Sequence, residues 1–216
     1  MKVSAVIFDL DGTVLANEDE YGRAFANVLR HLGVKASSHS PHKAGIGVQE
    51  NWPYLIKKYK IKTKKSLDEL ASLTQREYLK QLSGVYPREG LEVFIKDLKD
   101  SDIATAMATS NEWFLVEKTF EKLGIEKYFD VVTTGDEVSD KKPAPDLFLK
   151  TAEKLGVEPS ECLVFEDSES GIAAAKGAGM KVVGISEKEA PKGFLTGADL
   201  VISSFWEVSP EVLWRL

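Results

Sequence analysis

The sequence has little cysteine, no excess of positive charge and no long apolar stretch. Cys162 is the single cysteine among 216 residues, so no internal disulfide can form, and its place in the run Cys-Leu-Val-Phe predicts a buried side chain. The formal net charge of −6 argues against a dedicated nucleic-acid binder, because phosphate contacts need a basic face. No apolar run approaches membrane-spanning length, and no basic-then-apolar leader precedes the first strand. We expect a cytoplasmic protein without nucleic-acid or membrane partners, as a monomer or a weak homodimer.

Two carboxylates stand at the end of the first predicted strand. The apolar run Val3–Phe8 is typical of a strand buried on both faces, and Asp9, Asp11 and Gly12 follow it. Asp often opens turns, but a turn explains one of these carboxylates more easily than both. Two carboxylates so close together repel each other unless something positive lies between them, and Mg²⁺ accepts such oxygens. A carboxylate beside a cation can also attack phosphorus as a nucleophile.

The rest of the chain divides into a helical part and an alternating part. Residues 16–83 contain helical patterns over 17–32 and 48–59 and a capping box at Ser66, with no strand candidate. Helices and strands alternate from Arg88 onward. In that part we expect strands at 103–108, 131–133, 162–165, 182–185 and 200–202, and helices at 91–98, 112–123, 145–155, 169–178 and after Pro210.

Alternating strands and helices predict a parallel sheet covered on both faces. The helical part lies between the first strand and the others, so it is an insertion. We therefore predict an α/β protein with a Rossmann-like parallel-sheet core, formed by residues 1–15 and 86–216. Residues 16–85 are predicted to form an all-helical inserted domain.

Further polar clusters follow the predicted strands, where ligands bind in open α/β sheets. They are Thr109-Ser110-Asn111 and Glu166-Asp167-Ser168, and the loop 141–146 carries Lys142. The first cluster could simply cap the following helix, and the lysine loop could be a solvated turn. Glu166 and Asp167 are harder to explain in that way, because charges at a buried strand end need a partner.

Together these clusters describe one site. Asp9 and Asp167 can hold Mg²⁺, and hydroxyl and backbone donors at 109–110 can bind phosphate oxygens. Lys142 can neutralise the charge of the phosphate.

The motifs also resemble those of a known family. Asp-Leu-Asp-Gly-Thr, Lys-Pro-Ala-Pro-Asp and Phe-Glu-Asp-Ser-x-x-Gly, with the cluster at 109–111, resemble in order and spacing the four motifs of the haloacid dehalogenase superfamily. The resemblance covers nearly the whole chain. It is to the subgroup that has a helical cap after the first motif and contains β-phosphoglucomutase and phosphoglycolate phosphatase.

The resemblance implies a role for each matched residue. Asp9 would form an aspartyl-phosphate, and Asp11 would protonate the leaving group, activate water and offer its backbone carbonyl to the metal. Thr109 and Lys142 would hold the phosphoryl group. Asp167 would bind Mg²⁺ directly, with Glu166 supporting the metal ligands. The predicted site has three groups of residues. The catalytic residues are Asp9 and Asp11, and the phosphate-binding residues are Thr109, Ser110, Asn111 and Lys142. The metal-binding residues are Asp9, Asp11, Asp167 and Glu166.

The predicted function is a Mg²⁺-dependent phosphatase acting on a small phosphate ester, such as a sugar phosphate. Dehalogenases of the superfamily lack an acid at the position of Asp11, so carbon–halogen cleavage is not expected. One alternative is a sugar phosphomutase, but Gly22 stands where β-phosphoglucomutase has a cap histidine, and the stretch 45–49 has no arginine. A second alternative is a non-catalytic binding protein, which would need no acid at Asp11.

Overall fold

The structure is a computed structural model that describes residues 3–36, 41–43, 47–186, 195–214 and 216. The chain forms two compact units. We call the residues up to 16 and from 87 onward the core unit, and residues 17–86 the inserted unit. The predicted boundaries, after residues 15 and 85, differ from these by one residue.

The core unit is built on a six-stranded parallel sheet with the order β3-β2-β1-β4-β5-β6. Its strands are β1 (Ala5–Phe8), β2 (Ala104–Ala108), β3 (Val131–Thr133), β4 (Cys162–Glu166), β5 (Lys181–Ile185) and β6 (Leu200–Ile202). Strand β1 lies in the middle of the sheet, and every one of its residues has an exposed fraction of 0%. This burial on both faces explains why its sequence is a continuous apolar run. The predicted α/β class and parallel sheet are confirmed.

Helices pack on both faces of this sheet. Phe8 stacks on Phe165 with ring centres 5.2 Å apart, and Phe94 of the helix after the insertion packs edge-on against Phe8. On the other face, Ile7 lies in a buried cluster with Phe148. The helices of the core unit are α4 (Leu91–Asp100), α5 (Trp113–Leu123), α6 (Asp146–Leu155), α7 (Glu169–Gly177) and α8 (Pro210–Leu213). Cys162 is buried and free, as expected.

The inserted unit consists of helices in its described residues. They are α1 (Glu18–His31), α2 (Val48–Tyr59) and α3 (Leu67–Leu79), and α3 packs against both of the others. Tyr21 and Tyr78 stack with ring centres 4.1 Å apart, and Trp52 is fully buried. The predicted capping box is present, because Ser66 Oγ accepts from the Glu69 amide and Glu69 Oε2 accepts from the Ser66 amide.

No helix in the described part of the chain is long and apolar enough to cross a membrane.

Candidate active site

The register of the sheet brings the predicted clusters together. Phe8 of β1 pairs with Met107 on one side and with Phe165 on the other. Asp9 therefore lies level with the ends of β2 and β4, and its amide donates to the Phe165 carbonyl at 3.0 Å. Because all these strands are parallel, their carboxyl ends meet at one edge of the sheet. The candidate site is this edge of the core unit.

Lys142 reaches into the site from the loop before α6. Its Nζ lies 2.5 Å from Asp9 Oδ1, 2.7 Å from Glu166 Oε1 and 3.3 Å from the Ala108 carbonyl. Its side chain is only 6% exposed. The interpretation as a solvated turn is therefore wrong for Lys142, since a buried ammonium needs the carboxylates that it contacts here, whereas Lys141 and Pro143 of the same loop are exposed.

Burial and charge shift the titration of this group of residues. Burial raises the pKa of Asp9 to about 8; Lys142 opposes the rise, and the neighbouring charges of Glu166 and Asp11 add to it. Burial by itself would lower the pKa of Lys142, but Asp9 and Glu166 raise it above its ordinary value. Lys142 thus stays charged. Further positive charge close to Asp9 would favour its ionised form.

Glu166 holds Lys142 in place. One carboxylate oxygen accepts from Lys142, and the other accepts from the amide and the hydroxyl of Ser168, both at 2.8 Å. The side chain is 1% exposed. Both oxygens accept hydrogen bonds from protein groups, and the expected support of metal ligands by Glu166 stays a prediction.

Two glycines of the motifs leave space that carboxylates occupy. A Cβ on Gly12 would stand 2.0 Å from an Asp167 carboxylate oxygen, and Gly12 also has a left-handed backbone with φ of +79°. A Cβ on Gly171 would stand 1.7 Å from Glu166 Oε1. Any side chain at either position would displace an acidic group of the site.

Asp9 and Asp167 carry the carboxylate oxygens that a magnesium ion prefers as ligands. Asp167 lies against the loop after β1, where its Oδ1 accepts from Thr13 Oγ1 at 3.2 Å. No group of three or more His, Cys, Asp or Glu side chains among the described residues is arranged to hold a metal by itself. Magnesium commonly binds through one or two carboxylates and takes its other ligands from water and substrate phosphate. A cation here would add to the positive charge of Lys142 and favour the ionised form of Asp9.

The cluster at 109–111 does not cap the following helix. The N-cap residue of α5 is Glu112, and the first helical amide, that of Trp113, donates to both carboxylate oxygens of Asp136 at 3.1 Å. The capping interpretation is therefore wrong. Thr109 is buried, and its Oγ1 accepts from the Asn111 amide at 3.2 Å.

The side chain of Asn111 contacts the second carboxylate of the first motif. Its Nδ2 donates to Asp11 Oδ2 at 2.6 Å, across 100 positions in the sequence. Asp11 itself is half-buried, as is Ser110. The predicted binding of phosphate by Asn111 stays a prediction, and the structure adds the contact of its side-chain amide with Asp11.

The sequence patterns did not predict that Arg88 and Asp136 contribute to the site. Arg88 Nε donates to the Gly12 carbonyl at 2.7 Å, and the Arg88 amide donates to the Val14 carbonyl at 2.8 Å. Asp136 caps α5 from the loop after β3. Both contacts join segments that lie far apart in the chain. A single charged residue in a loop carries no local signal of such a partner.

The chain is similar to known proteins over most of its length. A family model described as haloacid dehalogenase-like hydrolase matches residues 6–185. A protein of Thermotoga maritima named phosphorylated carbohydrates phosphatase is 38% identical over 186 residues, which cover 83% of each chain. The β-phosphoglucomutase of Bacillus subtilis is 28% identical over 221 residues, covering 98% of this chain and 94% of that relative.

A solved structure is similar over nearly the full length. CbbY from Rhodobacter sphaeroides, in complex with phosphate, matches with a TM-score of 0.80 and 26% identity, covering 95% of this chain and 96% of the other. The predicted family, fold class and enzyme class are thus confirmed, the last as a hydrolase with phosphatases among its relatives. The chain belongs to the family of haloacid dehalogenase-like hydrolases.

Proposed function

We propose that this protein is a Mg²⁺-dependent phosphatase that hydrolyses a small phosphate monoester through an aspartyl-phosphate on Asp9. One observation carries the proposal: a buried carboxylate, Asp9, is held at the carboxyl edge of the sheet by the buried ammonium of Lys142. Phosphoryl transfer needs in-line positioning and charge neutralisation more than any other help from a protein. This pair supplies a nucleophile and a counter-charge at one point.

In the first half-reaction, an Asp9 oxygen attacks phosphorus while the bond from phosphorus to the ester oxygen breaks. Asp11 in its acid form gives its proton to that departing oxygen, so an alcohol leaves. Lys142 and the groups at Thr109 and Ser110 hold the phosphoryl oxygens. Bound Mg²⁺, held by Asp9 and Asp167, would supply charge neutralisation.

In the second half-reaction, Asp11 is a carboxylate and takes a proton from water. The water oxygen attacks phosphorus, the bond from phosphorus to Asp9 breaks, and inorganic phosphate leaves. Asp9 is again a free carboxylate and Asp11 again carries a proton, so the enzyme is ready for the next substrate.

A sugar phosphate is the substrate class that we favour. The relative from Thermotoga maritima is named for phosphorylated carbohydrates. Turnover of a panel of sugar and other small phosphate esters would identify the substrate.

The test of the reaction is hydrolysis of p-nitrophenyl phosphate by wild type and Asp9→Asn. The variant keeps the size of the side chain and removes the attacking oxygen anion, so we expect a loss of about a thousandfold or more. EDTA should abolish wild-type activity and added Mg²⁺ should restore it, while Ca²⁺ should inhibit because its looser coordination misplaces the nucleophile.

Asp100→Asn is the matched control, since that carboxylate is 62% exposed and pairs with Lys96 on the surface of α4. It should keep wild-type activity. Near-normal turnover by a folded Asp9→Asn protein, or full wild-type activity in excess EDTA, would contradict the proposal.

A further inference from the structure

The side chain of Asn111 donates a hydrogen bond to the second carboxylate of the first motif, Asp11. We infer that Asn111 is a positioning residue that orients Asp11 toward the leaving group, and that the segment 133–136 sets the position of Asn111. The inference rests on the proposed function, because it gives Asp11 the role of proton donor.

The contacts of Asn111 fix both its backbone and its side chain. Its amide donates to Thr109 Oγ1 at 3.2 Å, its carbonyl accepts from the Gly135 amide at 2.7 Å, and its Nδ2 donates to Asp11 Oδ2 at 2.6 Å. The residue is 8% exposed. A largely buried residue that two backbone contacts and one side-chain contact hold has little freedom to turn.

The segment 133–136 holds the whole loop from Thr109 to Trp113. The Thr133 carbonyl accepts from the Thr109 amide at 3.0 Å, and the Gly135 amide donates to Asn111. The Asp136 carboxylate accepts from the Trp113 amide. These contacts are spaced along both segments, so they fix the direction of the loop as well as its distance from β3.

Gly135 makes this close approach possible. A Cβ at that position would stand 2.2 Å from the Ser110 carbonyl oxygen, which is backbone and cannot turn away. A larger residue would push the two segments apart and move Asn111 with them.

The contact with Asn111 distinguishes the two oxygens of Asp11. An amide N–H donates, so Oδ2 accepts this hydrogen bond, and the contact sets the orientation of the carboxyl group. Without Asn111 the carboxyl group would lose a contact that sets its orientation. General acid catalysis depends on such alignment and contributes about 10² to 10⁴ in rate.

Leaving-group dependence tests this role. An alkyl phosphate needs a proton on its departing oxygen, whereas p-nitrophenolate leaves with little help. We therefore compare kcat/KM for a hydrolysed sugar phosphate and for p-nitrophenyl phosphate, since kcat/KM covers the steps up to departure of the alcohol. For Asn111→Ala we expect a loss of about 10- to 100-fold on the sugar phosphate and less than about threefold on the aryl ester. The inhibition constant of inorganic phosphate should not change.

Further variants make the test specific. In Asn111→Ser the new side chain is polar but too short to reach Asp11 in the same way. This variant should show the same selective loss on the sugar phosphate, and it replaces Asn111→Ala if that protein fails to fold. Asp136→Ala should reproduce the selective loss in weaker form, and Asp136→Asn, which keeps one acceptor for the Trp113 amide, should restore most of it.

An equal loss on both substrates, or weaker inhibition by phosphate, would overturn the inference in favour of a structural or phosphate-binding role for Asn111. Wild-type protein that hydrolyses neither substrate would instead contradict the proposed function. The two failures are therefore distinguishable.

Discussion

At the scale of single residues, Gly171 explains why the last motif ends in glycine. Its hydrogen stands where a Cβ would meet the Glu166 carboxylate, and Glu166 is one of the two carboxylates that hold Lys142. The glycine therefore acts on Lys142 through Glu166. The motif shows that glycine stands at this position, and the tertiary contact with Glu166 explains why a side chain would not fit there.

Gly171→Ala should force the Glu166 carboxylate away from Lys142. In an exposed helix this change would stabilise by up to about 1 kcal/mol. Here the clash should outweigh that gain and destabilise by about 1–3 kcal/mol. Turnover of p-nitrophenyl phosphate should fall about tenfold or more, because Lys142 loses one of its anchors.

Gly177→Ala is the matched control in the same helix. A Cβ there would meet only Pro145 carbon atoms, at 3.6 Å and beyond, which is ordinary contact. We expect unchanged turnover and equal or slightly higher stability. Equal turnover of the Gly171→Ala protein and wild type would show that Glu166 does not position Lys142.

At the scale of elements, most strands and helices could be predicted because their signals are local. Buried strands appear as apolar runs, and the capping-box pair Ser66 and Glu69 marks the start of α3. The contacts that tie elements together could not be predicted in this way. Asp199 is an example, since it precedes β6 and bonds to residues of β5 and α7.

Asp199→Ala should destabilise the core unit by about 1–3 kcal/mol, because the Val182 amide loses the acceptor that lies 2.7 Å away. Burial would raise the pKa of Asp199, but contacts with Lys176, the Val182 amide and Lys181 lower it below its ordinary value. A carboxylate with a lowered folded pKa stabilises above its unfolded pKa, which is about 3.9, and loses that effect as the pH falls through the folded pKa.

The measurement is the midpoint of urea unfolding at pH 7 and at pH 3. The difference between wild type and Asp199→Ala should be large at pH 7 and smaller at pH 3. Asp100→Ala serves as the surface control and should shift the midpoint little at either pH. An equal difference at both pH values would mean that the charge of Asp199 is not what stabilises.

At the scale of the whole molecule, the site was predictable as a set of residue types but not as a set of contacts. Asp9, Asp11, Lys142 and Asp167 stand at strand ends or in adjoining loops, and parallel strands bring such ends together. The partners of Glu166 and Asn111 depend on side-chain orientations set by packing. For that reason the sequence predicted that both residues belong to the site but not which protein groups they contact.

The inserted unit bears on the choice between phosphatase and phosphomutase. A mutase must hold the far phosphate of a bisphosphate, for which arginine is well suited because it binds phosphate bidentately. Lys43 is the only Lys or Arg within residues 42–52, and its Nζ lies 4.6 Å from the centre of the Tyr54 ring. Residues 44–46 of that stretch lie outside the described part of the chain.

We therefore expect hydrolysis to outrun transfer. With β-glucose 1-phosphate and a trace of the 1,6-bisphosphate, inorganic phosphate should appear faster than glucose 6-phosphate. A parallel reaction without the bisphosphate gives the rate of simple hydrolysis. Faster formation of glucose 6-phosphate would replace the phosphatase proposal with the mutase.

The ends of the core unit that flank the insertion have a consequence for chain entropy. Leu15 and Pro87 form a bridge, and the Arg88 amide bonds to the Val14 carbonyl, so the chain leaves and re-enters the core unit at adjacent points. Closing a flexible loop costs free energy that grows with its length. An inserted segment whose own fold holds its two ends side by side adds no such closure cost to the folding of the core unit. Insertions of very different length could therefore occupy this point without weakening the sheet.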